Sequence, residues 1–243
     1  MKIPQLQTLC IQTSNDSLEG LHILHVSDIH INKKTSFATL EALVKICNES
    51  IADFIVITGD IIDCKVEKIK DKLQLLNQIK KKTYYVSGNH DLFYGIDKLK
   101  EVLCFTFLDN THAIFQFKKH EITIAGLGDR FSKYFRKTRD EKRVVQQLYH
   151  AKNSILLAHQ PKDYLYALES NANLFLCGHT HGGQIYPFHY LVRLFQPFVA
   201  GIFYKKNTSI YVNKGLGYWG IDIRFRAKSE ITLLKLIPKS VES

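Results

Sequence analysis

Eight side chains able to bind a metal or move a proton follow directly on short apolar runs: Asp28, His30, Asp60, Asn89, His90, His159, His179 and His181. Leu21 to Val26 stops at Ser27, ahead of Asp28-Ile29-His30. Residues 53–58 end in Gly59-Asp60, and residues 83–87 end in Gly88-Asn89-His90-Asp91. Residues 154–158 end in His159, and residues 173–177 end in Gly178-His179-Thr180-His181. A lone Asp-x-His is more often a loop acid beside a surface histidine, so it is the recurrence that counts. In an extended segment residues i and i+2 point the same way, which would bring Asp28 and His30 to one point. Imidazole nitrogens mixed with carboxylate and amide oxygens suit Mn, Fe, Zn or Co better than Ca or Mg alone. The donors outnumber the needs of one ion, whereas two ions sharing a carboxylate fit the count.

The elements that must position these donors are legible in the spacing. Each run preceding a donor is short and apolar, the pattern of a buried strand. Between the first two runs, Phe37, Leu40, Leu43, Val44 and Cys47 have helical spacing over 37–50. Val66, Ile69, Leu73, Leu76 and Ile79 predict one amphipathic helix over 66–82 with a basic solvated face. Strand, helix, strand, helix, strand predicts a partly parallel α/β sheet, whose ligand sites form beyond the carboxyl ends of its strands. Further strands are expected at 5–12, 105–108, 113–117, 122–126, 208–212 and 231–237, with a helix over roughly 139–151 and another started by Pro161. One domain spanning 1–243, with two packed sheets and flanking helices, is the simplest organisation.

Composition sets the outer bounds. A chain of 243 residues that is 45% hydrophobic can bury a sizeable core. A formal net charge of +10 points to an anionic partner, whether a phosphorylated substrate, nucleic acid or a membrane surface. Five cysteines without a Cys-x-x-Cys pair argue against a disulfide framework or a cysteine zinc site, and suit a reducing compartment. The opening Met-Lys-Ile-Pro-Gln-Leu-Gln has no long apolar segment, so neither a signal peptide nor a transmembrane helix is expected. The expected location is cytoplasmic, with peripheral attachment to the inner face of the cell membrane as a further expectation.

The ordered set Asp28-x-His30, Gly59-Asp60, Gly88-Asn89-His90-Asp91, His159 and Gly178-His179-x-His181 resembles the motifs of the calcineurin-like metallophosphoesterases, over about residues 21–185. The resemblance implies a four-layer α/β sandwich: two facing mixed β-sheets flanked by helices. It implies that Asp28, His30, Asp60 and His181 hold a first divalent metal. Asp60, Asn89, His159 and His179 would hold a second, with Asp60 as the bridge and Mn as the foremost candidate. Two such ions about 3.5–4 Å apart clamp an in-line phosphoryl displacement and activate water near neutral pH. His90, one residue from a ligand, would serve as acid or hydrogen-bond donor to the phosphate or the leaving oxygen. Asp91 is expected to orient His90 through its other ring nitrogen.

The substrate is less directly written. Gly182-Gly183-Gln184-Ile185 resembles the branch that contains membrane-associated phosphoesterases, whereas Arg226-Ala227-Lys228-Ser229-Glu230-Ile231 departs from that branch's usual Arg-Pro-Glu-Ile. The aromatic and aliphatic stretch 186–204 is interrupted by His189, Arg193, Gln196 and Pro197, which suits an apolar flap or a packed insertion better than a membrane span. Asp63, Asp129, Arg130, His189 and Arg193 are candidate substrate contacts, and Arg224, Arg226 and Lys228 could meet an anionic headgroup. Together these features suit an amphiphilic, lipid-linked nucleotide such as UDP-2,3-diacylglucosamine, whose pyrophosphate is cleaved to UMP and 2,3-diacylglucosamine 1-phosphate in lipid A synthesis. The alternatives are a broader phosphodiesterase or phosphatase for nucleotides, nucleic acid or phospholipid, and a noncatalytic metal-containing scaffold. The basic residues are dispersed and no aromatic-basic motif appears, which argues against a nucleic-acid-binding module.

Overall fold

Alternation along the strands dictates the layering. In Phe54–Thr58, Phe54 and Val56 face one way and Ile55 and Ile57 the other, yet all are buried. A strand apolar on both sides must be covered on both sides. The structure, a computed structural model, describes residues 3–187, 189–220 and 223–239, and of His189 only the main chain.

In chain order the elements are β1 (Leu6–Thr13), β2 (His22–Val26), α1 (Phe37–Glu49), β3 (Phe54–Thr58), α2 (Lys70–Leu76), β4 (Thr83–Val86), α3 (Asn89–Tyr94), α4 (Ile96–Val102) and β5 (Thr106–Phe107). Then come β6 (Thr111–Phe117), β7 (His120–Gly126), α5 (Glu141–Tyr149), β8 (Ser154–Leu157), α6 (Tyr164–Glu169) and β9 (Leu174–Cys177). The chain closes with α7 (His189–Phe195), β10 (Gly201–Lys205), β11 (Thr208–Val212) and β12 (Ile231–Pro238). They build two mixed six-stranded sheets, ordered β1-β12-β2-β3-β4-β5 and β10-β11-β9-β8-β7-β6. Ile23, Phe54, Val56 and Tyr84 of the first sheet pack against Ile124, Ile155, Leu157 and Leu176 of the second. The outer face of the first sheet is covered by Leu40, Leu43, Leu73 and Leu99 of α1, α2 and α4. The outer face of the second is covered by Val144, Leu148 and Ala167 of α5 and α6. The result is helix, sheet, sheet, helix, the expected four-layer sandwich.

β2, β3 and β4 are adjacent and parallel, as are β8 and β9, so their carboxyl ends lie at one edge of each sheet. That edge receives the donor-bearing turns. The register also continues past the strand ends: Asp28 N–H donates to Gly59 O at 3.0 Å, and His30 N–H donates to Asp60 O at 3.0 Å.

The predicted helix over 66–82 is shorter in fact. A 3₁₀ turn at Val66–Lys68 precedes α2, and Ile69 between them has φ −139°, outside the helical region. α2 stops at Asn77 because that side chain is engaged elsewhere. Its amide donates to Val102 O at 2.8 Å and its carbonyl accepts from Cys104 N at 2.9 Å. Stretch 186–204 divides into α7, beside the donor edge, and β10, the edge strand of the second sheet. Among the described residues no helix is long and apolar enough to cross a membrane.

Candidate metal centre

The donor turns converge as imidazole and carboxylate pairs. His30 Nε2 lies 3.1 Å from His181 Nε2, and His181 Nε2 lies 3.5 Å from Asp28 Oδ1. Asp60 Oδ2 lies 3.7 Å from His30 Nε2 and 3.3 Å from His159 Nε2. His159 Nε2 in turn lies 3.1 Å from His179 Nδ1. Asp60 thus stands between the two histidine pairs, where a bridging carboxylate belongs. Asp28 Oδ1 and Asn89 Oδ1 are buried and have no hydrogen-bond partner. A buried acceptor left unpaired costs about 1–3 kcal/mol, so these atoms are shaped for a cation. Asp28, His30 and His181 offer donor atoms within 4.8 Å of one another, and so do Asp28, Asp60 and His159. The residues present therefore suit divalent ions, which would supply Lewis acidity and an activated water, although these two clusters share Asp28 and so divide the donors differently from the sets implied by the motifs.

The convergence does not arise from extended alternation. Asp28, His30, Asp60, His179 and His181 all lie in the left-handed region, with φ of 51°, 51°, 53°, 73° and 51°. For a residue with a Cβ this conformation costs about 1–2 kcal/mol, and such strain concentrates at functional sites. Two glycines make the approach possible. Gly59 has φ +88°, and a Cβ there would stand 2.5 Å from His159 Nδ1. A Cβ on Gly178 would collide with Ser27 and with the Asp28 carboxylate.

Burial and charge prepare the donors. Burial pushes the His30 imidazole down to about 4 and His179 down to about 3, so both rings are neutral and carry a lone pair at ordinary pH. Burial, reinforced by the Asp60 charge, raises Asp28 to about 6. Burial also pushes Asp60 up, but His159 and His30 overcome it and hold its carboxyl well below the usual range. His159 Nδ1 donates to Thr58 O at 2.7 Å; burial pulls its pKa down, but the Asp60 charge and hydrogen bond outweigh that and hold it well above its ordinary value, so an ion bound at Nε2 would displace a proton there. Burial and the neighbouring His30 and Arg224 hold His181 well below its ordinary value. Arg224 donates from Nη2 to His181 Nδ1 at 3.0 Å. A neutral His181 so held carries its proton on Nε2, so binding an ion at Nε2 would require that proton to move to Nδ1 and the Arg224 contact to give way.

His90 is gripped by a different acid from the one expected. Its Nδ1 lies 2.8 Å from Asp63 Oδ1, and its main-chain N–H donates to Asp60 Oδ1 at 2.8 Å. Asp91 makes no hydrogen bond to the His90 ring. Its carboxylate accepts from the main-chain N–H groups of Asp60 (2.7 Å), Ile61 (2.8 Å), Ile62 (3.1 Å) and Gly88 (2.9 Å), and from the Tyr85 hydroxyl (2.6 Å). Asp91 faces inward on the first turn of α3 and fixes the Asp60 turn, so it acts on Asp60 and not on the His90 ring. Asp91→Ala strands those donors in a buried setting. We expect a loss of about 3–5 kcal/mol of stability, typical of an uncompensated buried network, read as a lower midpoint in urea denaturation.

The other candidate contacts divide. Asp63 positions His90 and does not line the cavity over the donors. Asp129 is fully buried, and its carboxylate accepts from Phe131 N–H at 2.8 Å and from the Gln160 amide at 2.9 Å, so it is not a substrate contact. Arg130 Nη1 donates to Asp163 Oδ1 at 2.7 Å and faces a separate basic hollow beside Lys133 and Lys162. Arg193 lies along α7 with its guanidinium 5.9 Å from the Tyr190 ring centre, outside the cavity. The side chain of His189 falls outside the described residues. Arg224 turns inward: besides His181, its guanidinium donates to Gly217 O at 2.6 Å and to Lys214 O at 2.8 Å. Its sequence neighbourhood, a run of spaced cations, gave no sign of this.

Over the donors lies a cavity of about 420 Å³, floored by Asp60, Asn89, His90, His179 and His181. Leu191, Val192 and Phe195 of α7 form an apolar wall, and Phe131 and Trp219 also line the cavity. Through Gly183, Gln184, Leu191 and Trp219 it continues into an apolar groove of about 830 Å³, bounded also by Ile185, Pro187 and Tyr190. Gln184 pins this rim: its Oε1 accepts from Trp219 N–H and its Nε2 donates to Trp219 O, both at 2.7 Å.

Known proteins share this arrangement. Residues 21–183 match the model of the calcineurin-like phosphoesterases. An uncharacterized metallophosphoesterase of Helicobacter pylori is 36% identical over 232 residues, which cover 90% of this chain and 60% of that protein. A transmembrane protein with metallophosphoesterase domain from Danio rerio is 34% identical over 237 residues, covering 91% of this chain and 54% of that protein. The chain thus spans well under two thirds of the length of these relatives. Among solved structures, a dimetal phosphatase from Danio rerio has the same fold, with a TM-score of 0.55 at 10% identity over 81% of this chain and 88% of that one. With a matching model over residues 21–183, the chain belongs to the calcineurin-like phosphoesterase family of metal-dependent hydrolases.

Proposed function

We propose that this chain hydrolyses a phosphoester or phosphoanhydride bond in an amphiphilic substrate, with two divalent ions, Mn foremost, as cofactors. The specific substrate proposed is UDP-2,3-diacylglucosamine, cleaved at its pyrophosphate to UMP and 2,3-diacylglucosamine 1-phosphate, a step of lipid A synthesis. The observation that carries the reading is the apolar groove opening directly off the donor cavity. A soluble nucleotide or a simple phosphate has no use for it. An acyl chain laid there removes apolar surface from water at about 25 cal/mol per Å², while the charged centre of the same molecule reaches His90 and the metal donors. Within the chain, Asp63 holds His90 in place to give a proton or hydrogen bond to the leaving oxygen. Leu191, Val192 and Phe195 exclude water from one side of the cavity.

The test sets UDP-2,3-diacylglucosamine beside UDP-N-acetylglucosamine in detergent with Mn, following UMP release. Cleavage of the acylated substrate at least tenfold faster supports the amphiphilic reading. Equal cleavage of both retains the hydrolase and removes the lipid substrate, favouring a broader phosphodiesterase. Release of UMP from neither sinks the lipid A assignment.

A further inference from the structure

The groove opens onto a face whose composition suits neither water nor an ordinary protein surface. Leu194 is 76% exposed and Phe195 63% exposed on α7, and beside them Tyr190, Trp219, Ile223 and Phe225 are each more than half exposed. Large apolar side chains scattered singly are ordinary, but a contiguous set is not. Tyr190 and Trp219 line the groove together, and Phe195 and Trp219 line the donor cavity. Tyr186 N–H donates to Phe225 O, Phe225 N–H donates to Gln184 O, and Gln184 holds Trp219. The Tyr186 and Tyr190 rings lie 6.3 Å apart.

The charges around this face are one-sided. Over residues 180–230 the sequence carries seven lysines and arginines against two acids, Asp222 and Glu230; Arg224 turns inward and Lys214 pairs with Glu230, while Arg193 and Arg226 lie against the face. Two of the arginines lie over aromatic rings of the face. Arg226 stands 4.9 Å from the Tyr186 ring centre and 5.6 Å from that of Phe225, and Arg193 stands 5.9 Å from that of Tyr190. Arginines beside tyrosine and phenylalanine, with leucine, isoleucine and tryptophan on the same face, have the chemistry of a bilayer interface. The aromatic bodies enter at headgroup level, the aliphatic tips go deeper, and the guanidinium groups meet lipid phosphates.

We infer that this face docks on an anionic lipid bilayer, with α7, Trp219 and Phe225 entering the headgroup layer and the groove opening toward the lipid. Charge complementarity selects the occupant. A protein partner of matching shape would need a similarly apolar patch ringed with acids, whereas an anionic membrane supplies both properties over its whole surface. The docking deepens the amphiphilic-substrate reading, because a substrate anchored in a bilayer would reach the metal donors without crossing water. It can also be tested apart from that reading, since vesicle binding needs no substrate.

Trp219 is the only tryptophan of the chain, so the face carries its own reporter. The experiment mixes the full chain with vesicles of phosphatidylcholine containing one part in three phosphatidylglycerol, and with vesicles of phosphatidylcholine alone. It reads co-flotation and the Trp219 emission maximum. We expect flotation with the anionic vesicles accompanied by a blue shift, and at least fivefold less bound protein on the neutral ones. Leu194→Glu and Arg226→Glu should each lower the bound fraction at least fivefold. Both positions are exposed and neither bounds the donor cavity, so hydrolysis of a soluble phosphoester in detergent should be unchanged. Lys45→Glu, on the exposed side of α1, removes the same charge as Arg226→Glu and should leave binding intact. No flotation on anionic vesicles, flotation without a Trp219 shift, or equal losses from Lys45→Glu and Arg226→Glu would each overturn the docking face. Flotation with failure on the acylated nucleotide would leave the docking standing and remove only the substrate.

Discussion

Asp60→Asn is expected to lower phosphoester hydrolysis by about three orders of magnitude or more. Asp60 Oδ2 lies 3.7 Å from His30 Nε2 and 3.3 Å from His159 Nε2 and is the carboxylate that the motif resemblance assigns to both donor sets. A metal pair contributes several kcal/mol of transition-state charge stabilisation, and each 1.36 kcal/mol is about tenfold in rate. Asparagine keeps an oxygen to accept the His90 main-chain N–H, now at 2.8 Å from Asp60 Oδ1, and so leaves the turn standing. It lacks the charge that two cations share. The loss should therefore appear as a drop in bound metal, measured by elemental mass spectrometry, in a protein whose circular dichroism is unchanged. A variant with full metal content and wild-type rates would remove Asp60 from the bridging role.

His90→Ala should cost about 10²–10⁴-fold in kcat, the usual share of a positioned acid, with metal content unaltered. His90 lines the cavity, yet its Nδ1 is engaged by Asp63 and not by the donor sets. Burial pulls its pKa down, but the hydrogen bond to Asp63 and the charge of Asp60 outweigh that and raise it, favouring the protonated ring an acid needs. The readout that separates an acid from a structural residue is the leaving group. A nitrophenolate departs without protonation, so His90→Ala should harm a nitrophenyl phosphodiester far less than an ester of a simple alcohol. Equal losses on both would assign His90 to phosphate binding alone.

The donor set was legible because five apolar runs each stop at a metal-type residue, and a strand buried on both faces is hard to disguise in sequence. The two-sheet, four-layer arrangement followed from the same runs together with the family resemblance. What the sequence concealed is the reason the donors meet. Spacing of two suggested an extended segment, but Asp28 and His30 converge through left-handed backbone held by rungs to Gly59 and Asp60. No local propensity marks aspartate or histidine for such strain, because tertiary hydrogen bonds impose it. The exchange of roles between Asp63 and Asp91 has the same origin. Asp91 sits one residue from His90, but on the first turn of α3 it points inward to the Asp60 turn, whereas Asp63 reaches the ring from another loop. Chain proximity misled because a helix sends neighbouring side chains in different directions.

Apolar segments without a period were the other gap. Residues 186–204 carried no clean repeat, since a short helix and an edge strand share the stretch. Its role as a cavity wall emerges only when Leu191 and Phe195 are placed over the histidines. Arg224 was masked by Arg226 and Lys228, though it alone of the three turns inward, and its contact with His181 depends on a loop return that no spacing rule encodes.

The central claim is that this chain uses two metal ions, held by Asp28, His30, Asp60, Asn89, His159, His179 and His181, to hydrolyse phosphoesters. The most direct measurement strips the protein with a chelator and titrates Mn back, following hydrolysis of a nitrophenyl phosphodiester against bound metal per chain. The account predicts negligible rate in the stripped protein and a plateau reached at two bound ions. A plateau at one ion, a rate indifferent to chelation, or no hydrolysis at saturation would contradict it.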